Sequence, residues 1–91
     1  MVPIHPGRIL RRELQARGLS ANALARALRV PSGRIVDILN GKRSITAETA
    51  LRLGRYFRNE PQFWINLQSQ YDLAVATREL GSRIAREVEA A

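Results

Sequence analysis

Apolar positions recur along the chain at helical spacing, and proline and glycine interrupt them at helix-length intervals. No stretch alternates long enough for a strand. Pro6 fits the first turn of a helix, where its missing N–H costs nothing. Ile9, Leu10 and Leu14 then form an apolar face, and Gly18 after Arg17 supplies a C-terminal cap. Ser20 is an N-cap for a second helix, Ala21–Leu28, whose inward stripe is Leu24, Ala25 and Leu28. The reciprocal glutamate of a capping box is absent, because the third residue on is Ala23.

Pro31 ends that helix by pushing the residue before it out of the α region. A third helix is predicted over Ser32–Leu39, with Ile35, Ile38 and Leu39 buried, and Gly41 stops it. Thr46 caps a fourth helix that turns Ala50, Leu53 and Phe57 inward, and Ile45 packs on Ala50 as a staple. For the fifth helix, from Pro61 to Glu79, Gly81 is expected to be a break or an end. Residues 82–91 are then either a short helix, with Ile84 and Val88 four apart, or a frayed tail.

These elements predict an all-α fold of about five helices in a single domain spanning residues 1–91. Its informative unit is residues 20–43: a short helix, a tight turn and a second short helix, which is helix-turn-helix spacing. Ala25 suits the crowded contact where the two helices cross, Val30 closes the turn, and Ile35 and Leu39 pin the second helix to the first. Any αα-hairpin satisfies the same apolar pattern. Charge separates the two readings.

The net charge is +7, unevenly divided. Residues 1–58 carry twelve Arg or Lys against Glu13, Asp37 and Glu48, whereas residues 59–91 carry three arginines against five acids. A basic body suits a polyanion, because each neutralised phosphate releases condensed counterions. Cysteine is absent and His5 is the single histidine, so no metal and no cofactor is expected. With no signal segment and no apolar run near ~18 residues, a cytoplasmic location without membrane contact is expected. No nucleophile is paired with His5 and no glycine-rich phosphate loop occurs, so an enzyme is not expected; a turn-terminal cap is the role assigned to His5. RNA is disfavoured, since Tyr56 is the lone aromatic candidate for a stacking platform in the basic half.

Residues 19–57 resemble the Cro/repressor-type, or XRE-type, helix-turn-helix domain, which implies a lambda-repressor-like fold. More narrowly, the chain resembles the HigA-type antitoxins of addiction modules. The matching stretches begin with Ile4-His5-Pro6-Gly7. Next come Leu39-Asn40-Gly41-Lys42-Arg43 with Ile45-Thr46, and Glu48-Thr49-Ala50-Leu51-Arg52-Leu53. The last are Phe63-Trp64-Ile65-Asn66-Leu67-Gln68 and Tyr71-Asp72-Leu73. Two positions depart from that pattern. Glu60 stands where the family often has Ser or Thr, leaving Asn59 to cap the fifth helix, and Arg8 stands where many relatives are acidic.

In a helix-turn-helix, the first residues of the recognition helix and one a turn further on face base edges. Here these are Ser32, Gly33 and Asp37, with Arg34 beside them as the candidate for direct readout. Asp37 is expected to orient Arg34 rather than to accept from a base. Phosphate contacts are assigned to Lys42, Arg43, Ser44 and Asn40 after the recognition helix, to Ser20 and Asn22 at the start of the helix before it, and to Arg26. Arg8, Arg11 and Arg12 are read as general field. Phe63, Trp64, Leu67 and Tyr71 exceed what a four-helix core needs, which points to homodimerisation through residues 61–91. The resemblance implies a repressor of its own operon, bound to double-stranded operator DNA and to a RelE-like toxin that cleaves translated mRNA. A stand-alone regulator of the same fold is the competing reading.

Overall fold

Three of the helices start on a side-chain cap that lies within a few residues. His5 Nδ1 accepts from the Gly7 N–H at 2.9 Å, Ser20 Oγ from Ala23 at 3.1 Å, and Thr46 Oγ1 from Thr49 at 3.4 Å. Each bond satisfies one of the N–H groups that a helix start leaves without a partner. The computed structural model describes residues 2–91 and, among them, holds five helices and no strand. They are α1 (Pro6–Arg17), α2 (Ala21–Leu28), α3 (Ser32–Leu39), α4 (Ala47–Phe57) and α5 (Pro61–Glu87). Gly18 and Gly41 adopt the expected left-handed conformation at φ 61° and 73°. Arg29 and Arg58 adopt it too, at φ 62° and 58°, as the C-caps of α2 and α4. A side chain there is strained by roughly 1–2 kcal/mol. The second helix therefore ends at an arginine two places before Pro31, not at the residue the proline restricts.

Leu10 and Leu14 of α1, Leu24, Ala25 and Leu28 of α2, Ile35 and Ile38 of α3, and Ala50 and Leu53 of α4 close one core. Ile45 joins it from the loop and Trp64 from α5, while Leu39 is only half-buried at its margin. Helix α3 packs on both α1 and α2, and α5 on α1 and α4. Arg17 stacks 4.9 Å above the Phe57 ring and so ties α1 to the end of α4.

The fifth helix differs from expectation in two respects. It runs unbroken through Gly81 to Glu87. An internal glycine costs only ~1 kcal/mol, whereas each further residue of a nucleated helix adds a hydrogen bond; the Arg83–Glu87 pair at 2.7 Å adds to that support. Asn59 does not cap it. Glu60 is the N-cap without a side-chain bond, and Asn59 Oδ1 instead accepts from the Trp64 indole at 3.1 Å. Beyond Gln68 the helix leaves the core, exposing Leu73, Leu80 and Ile84, and Val88 is exposed just past its end.

Two glycines make opposite demands. A Cβ on Gly7 would run into the Ile38 carbonyl, because the start of α1 presses on the end of α3, whereas a Cβ on Gly33 would meet nothing within 4 Å. Gly7→Ala is expected to lower stability by about 2–3 kcal/mol through overpacking. Gly33→Ala should raise it by about 0.5–1 kcal/mol through helix propensity and a less flexible unfolded chain. Urea unfolding of both variants checks the pair, and equal midpoints would contradict the close approach.

Candidate nucleic-acid interface

Helix α3 turns Ile35 and Ile38 into the core, which leaves Ser32, Gly33, Val36 and Asp37 on its exposed face. Pro31 serves as the N-cap without a side-chain bond, so no side chain of that residue occupies the open N–H groups of the first turn. Asn22 and Arg26 lie exposed four residues apart on α2, with Ser20 at its start.

Arg34 is not held by Asp37, as the spacing suggested. Its Nη1 donates to Glu48 Oε1 at 3.2 Å, across to the first turn of α4. The other carboxylate oxygen of Glu48 accepts from Arg52 at 3.1 Å, and Arg52 Nη1 donates to the Leu28 carbonyl at 2.8 Å. One relay thus joins α3, α4 and the end of α2. The Arg52 hydrogen bond, followed by the charge of Arg34, holds the Glu48 carboxyl below its ordinary value. Arg34 is the more sheltered partner, with 22 % of its side chain exposed against 57 % for Glu48. Its guanidinium is confined before any ligand arrives. The Asp37 side chain forms no ion pair among the described residues, while its carbonyl accepts from the Lys42 N–H at 2.8 Å.

Lys42, Arg43 and Ser44 are exposed in the loop after α3, and neither cation forms an ion pair among the described residues. Asn40 Oδ1 accepts from Arg11 at 3.3 Å, so one of the arginines read as general field braces the end of α3 instead. Past the loop, Ile45 is buried and its N–H donates to Gln68 Oε1 at 2.8 Å. The loop backbone is therefore fixed while its charges remain free.

The four residues assigned to a dimer face do not share one environment. Trp64 is 1 % exposed and packs on Phe57 and Phe63 inside the chain's own core, which removes it from any subunit contact. Leu67 is partly buried against the same core, and Tyr71 meets the His5 ring edge-on at 4.8 Å. Phe63 is exposed, and further exposed apolar side chains lie along the helix at Leu73, Leu80 and Ile84.

Sequence reasoning passed over Val36, Glu48, Arg52 and Gln68. Val36 was detectable, since it is apolar yet lies off the inward stripe of α3. The Glu48–Arg52 pair was legible at its i,i+4 spacing, but the bonds of Glu48, Gln68 and Arg52 to partners 14 to 24 residues away are marked by nothing in periodicity.

A helix-turn-helix family profile matches residues 10–64. Virulence-associated protein I of Dichelobacter nodosus is 54 % identical over 80 residues, covering 87 % of this chain and 74 % of that protein. An addiction module antidote protein of the HigA family from Coxiella burnetii superposes at a TM-score of 0.97 and 50 % identity over the whole of both chains. The Pseudomonas aeruginosa antitoxin HigA, solved with the higBA promoter, superposes at 0.94 and 50 % identity over 97 % of each chain.

His5 offers a pH handle beside the loop. Burial lowers its pKa, and this outweighs the opposing pull of Asp72 and of the Arg43 backbone. A histidine depressed in the folded state binds its proton more readily when unfolded. Its contribution to stability is full above about pH 6.5 and is lost as pH falls through the folded value. The thermal midpoint should therefore fall as pH drops below about 6.5 in the native chain and less so in His5→Asn, which keeps a cap but cannot titrate. Parallel pH profiles for the two proteins would contradict this.

Proposed function

Since the chain belongs to the HigA-type family of helix-turn-helix antitoxins, we propose that it is a sequence-specific DNA-binding antitoxin that represses its own toxin–antitoxin operon and neutralises a RelE-like, mRNA-cleaving toxin. The observation that carries the DNA reading is Arg34, confined by Glu48 at the start of α3, together with Lys42 and Arg43 free in the loop that follows. A half-identical relative solved with its promoter supports the same role here.

In this reading the exposed face of α3 enters the major groove. Arg34 turns from Glu48 to the O6 and N7 of a guanine, a bidentate contact that discriminates one base pair. Ser32, Gly33 and Asp37 line the same groove, and Val36 offers an apolar contact to a thymine methyl. Ser20, Asn22, Arg26, Asn40, Lys42, Arg43 and Ser44 seat the phosphates. A two-fold operator needs a second copy, with half-sites about 34 Å apart or a multiple of that. The exposed Leu73, Leu80 and Ile84 of α5 supply apolar surface for that pairing. The toxin docks away from α3, leaving the recognition helix free to bind DNA at the same time.

Two substitutions separate base reading from phosphate seating. Arg34→Ala should weaken the preferred duplex by about 1–3 kcal/mol and relax sequence preference. Lys42→Ala should weaken all duplexes alike and reduce the salt slope by about one. Titrations of a selected and a scrambled duplex at several salt concentrations measure both effects. If neither variant changes affinity, the DNA face lies elsewhere.

The toxin claim is tested by co-purifying this chain with the product of the adjacent gene and titrating labelled operator into the complex. A ternary assembly of DNA, toxin and antitoxin is expected. Strict competition would place the toxin on the recognition surface, and the lack of any co-purifying partner would favour a stand-alone regulator.

A further inference from the structure

The loop that carries Lys42 and Arg43 is backed by the His5 ring and by Gln68, which is itself bonded to Asp72. The His5 ring lies against Gly41, where an added Cβ would sit 3.8 Å from its Cγ. His5 Nδ1 is occupied as acceptor for the Gly7 N–H, so the ring's own N–H is on Nε2. Further along the loop, the Ile45 N–H donates to Gln68 Oε1 at 2.8 Å. The same amide, 6 % exposed, donates through Nε2 to Asp72 Oδ1 at 2.9 Å. Asp72 in turn exerts its charge on His5, and Tyr71 closes the ring from the side. The loop is thus backed by the His5 ring at Gly41 and held by a hydrogen bond at Ile45.

This cluster does more than fill the seam between helices. A buried glutamine is disfavoured unless both ends of its amide are bonded. Here one end is committed to the backbone of the loop and the other to Asp72. Holding a loop in its bound shape beforehand reduces the ordering cost of seating its cations on phosphates. We propose that His5, Gln68 and Asp72 are positioning residues that clamp residues 41–45 for phosphate contact, so that DNA affinity is set in part by side chains lying behind the loop. The proposal rests on the DNA-binding reading given above.

His5→Asn separates the clamp from the helix cap. Asparagine still accepts from the Gly7 N–H, but it removes the ring that lies against Gly41. The probe is the duplex that the native chain enriches from a random-sequence library, titrated by fluorescence anisotropy. Affinity is expected to fall about five- to tenfold, with the salt slope reduced by about one because a seated cation is lost. In a Lys42→Ala, Arg43→Ala background the same substitution should have no further effect, since the contacts it positions are already gone. A second variant, Gln68→Met, keeps the side-chain volume and removes the acceptor. It should lower affinity similarly and release the Ile45 amide to hydrogen exchange while core amides stay protected.

If the native chain binds the duplex and both variants bind equally well, the clamp is refuted and the DNA reading stands. A loss of the same size in both backgrounds would also refute it, by showing a merely structural role. A native chain that binds no duplex in a salt-dependent way would overturn the DNA reading, and the clamp with it.

Discussion

The approach of Gly7 to the Ile38 carbonyl is the contact on which the arrangement of this domain depends. It brings the first turn of α1 against the last turn of α3 without an intervening side chain. That proximity lets His5, two residues earlier, both cap α1 and lie over Gly41, and lets Arg11, one turn later, reach the Leu39 carbonyl and Asn40. A single close packing of backbones thus places three features at the same end of the recognition helix: a cap, a brace and a loop support.

Polar bonds across the fold then decide which charges are mobile. Arg52, Glu48 and Arg34 restrain one another on the exposed side of α2, α3 and α4, and Arg11 is drawn to the end of α3. Lys42 and Arg43 are left free on a backbone that is itself fixed. Confined guanidinium groups favour directional recognition, and free cations favour contact with a smooth negative surface. The +7 charge measures neither property; the distinction lies in the bonding.

Much of this was legible in the chain because caps and turns are written locally. Ser20, Thr46, Gly18, Gly41 and His5 act within a few residues of their own positions, and each takes the role its chemistry suggested. Apolar periodicity likewise marked Leu24, Ile35, Ile38 and Leu53 as core. Where a local rule competed with a tertiary bond, the tertiary bond prevailed. Asn59 gives its side chain to the Trp64 indole instead of to a helix start, and Arg34 bonds to Glu48 instead of to Asp37. Gly81 misled for a different reason: a glycine penalty is small beside the continuation of a helix already formed. Trp64 looked like surplus apolar surface because its partner Phe57 arrives from another helix.

The length of α5 has a consequence of another kind. At 27 residues it spans about 40 Å, close to the long dimension of the whole molecule, 49 Å. Its first half is anchored by Trp64 and Gln68, whereas beyond Gly81 every residue is exposed. In an isolated chain that distal part is held by little beyond propagation from the anchored part, and each of its hydrogen bonds opens with a free energy that declines toward Glu87. Cooperative all-or-none melting describes the body of the protein but not this arm, so one unfolding free energy cannot stand for the whole chain.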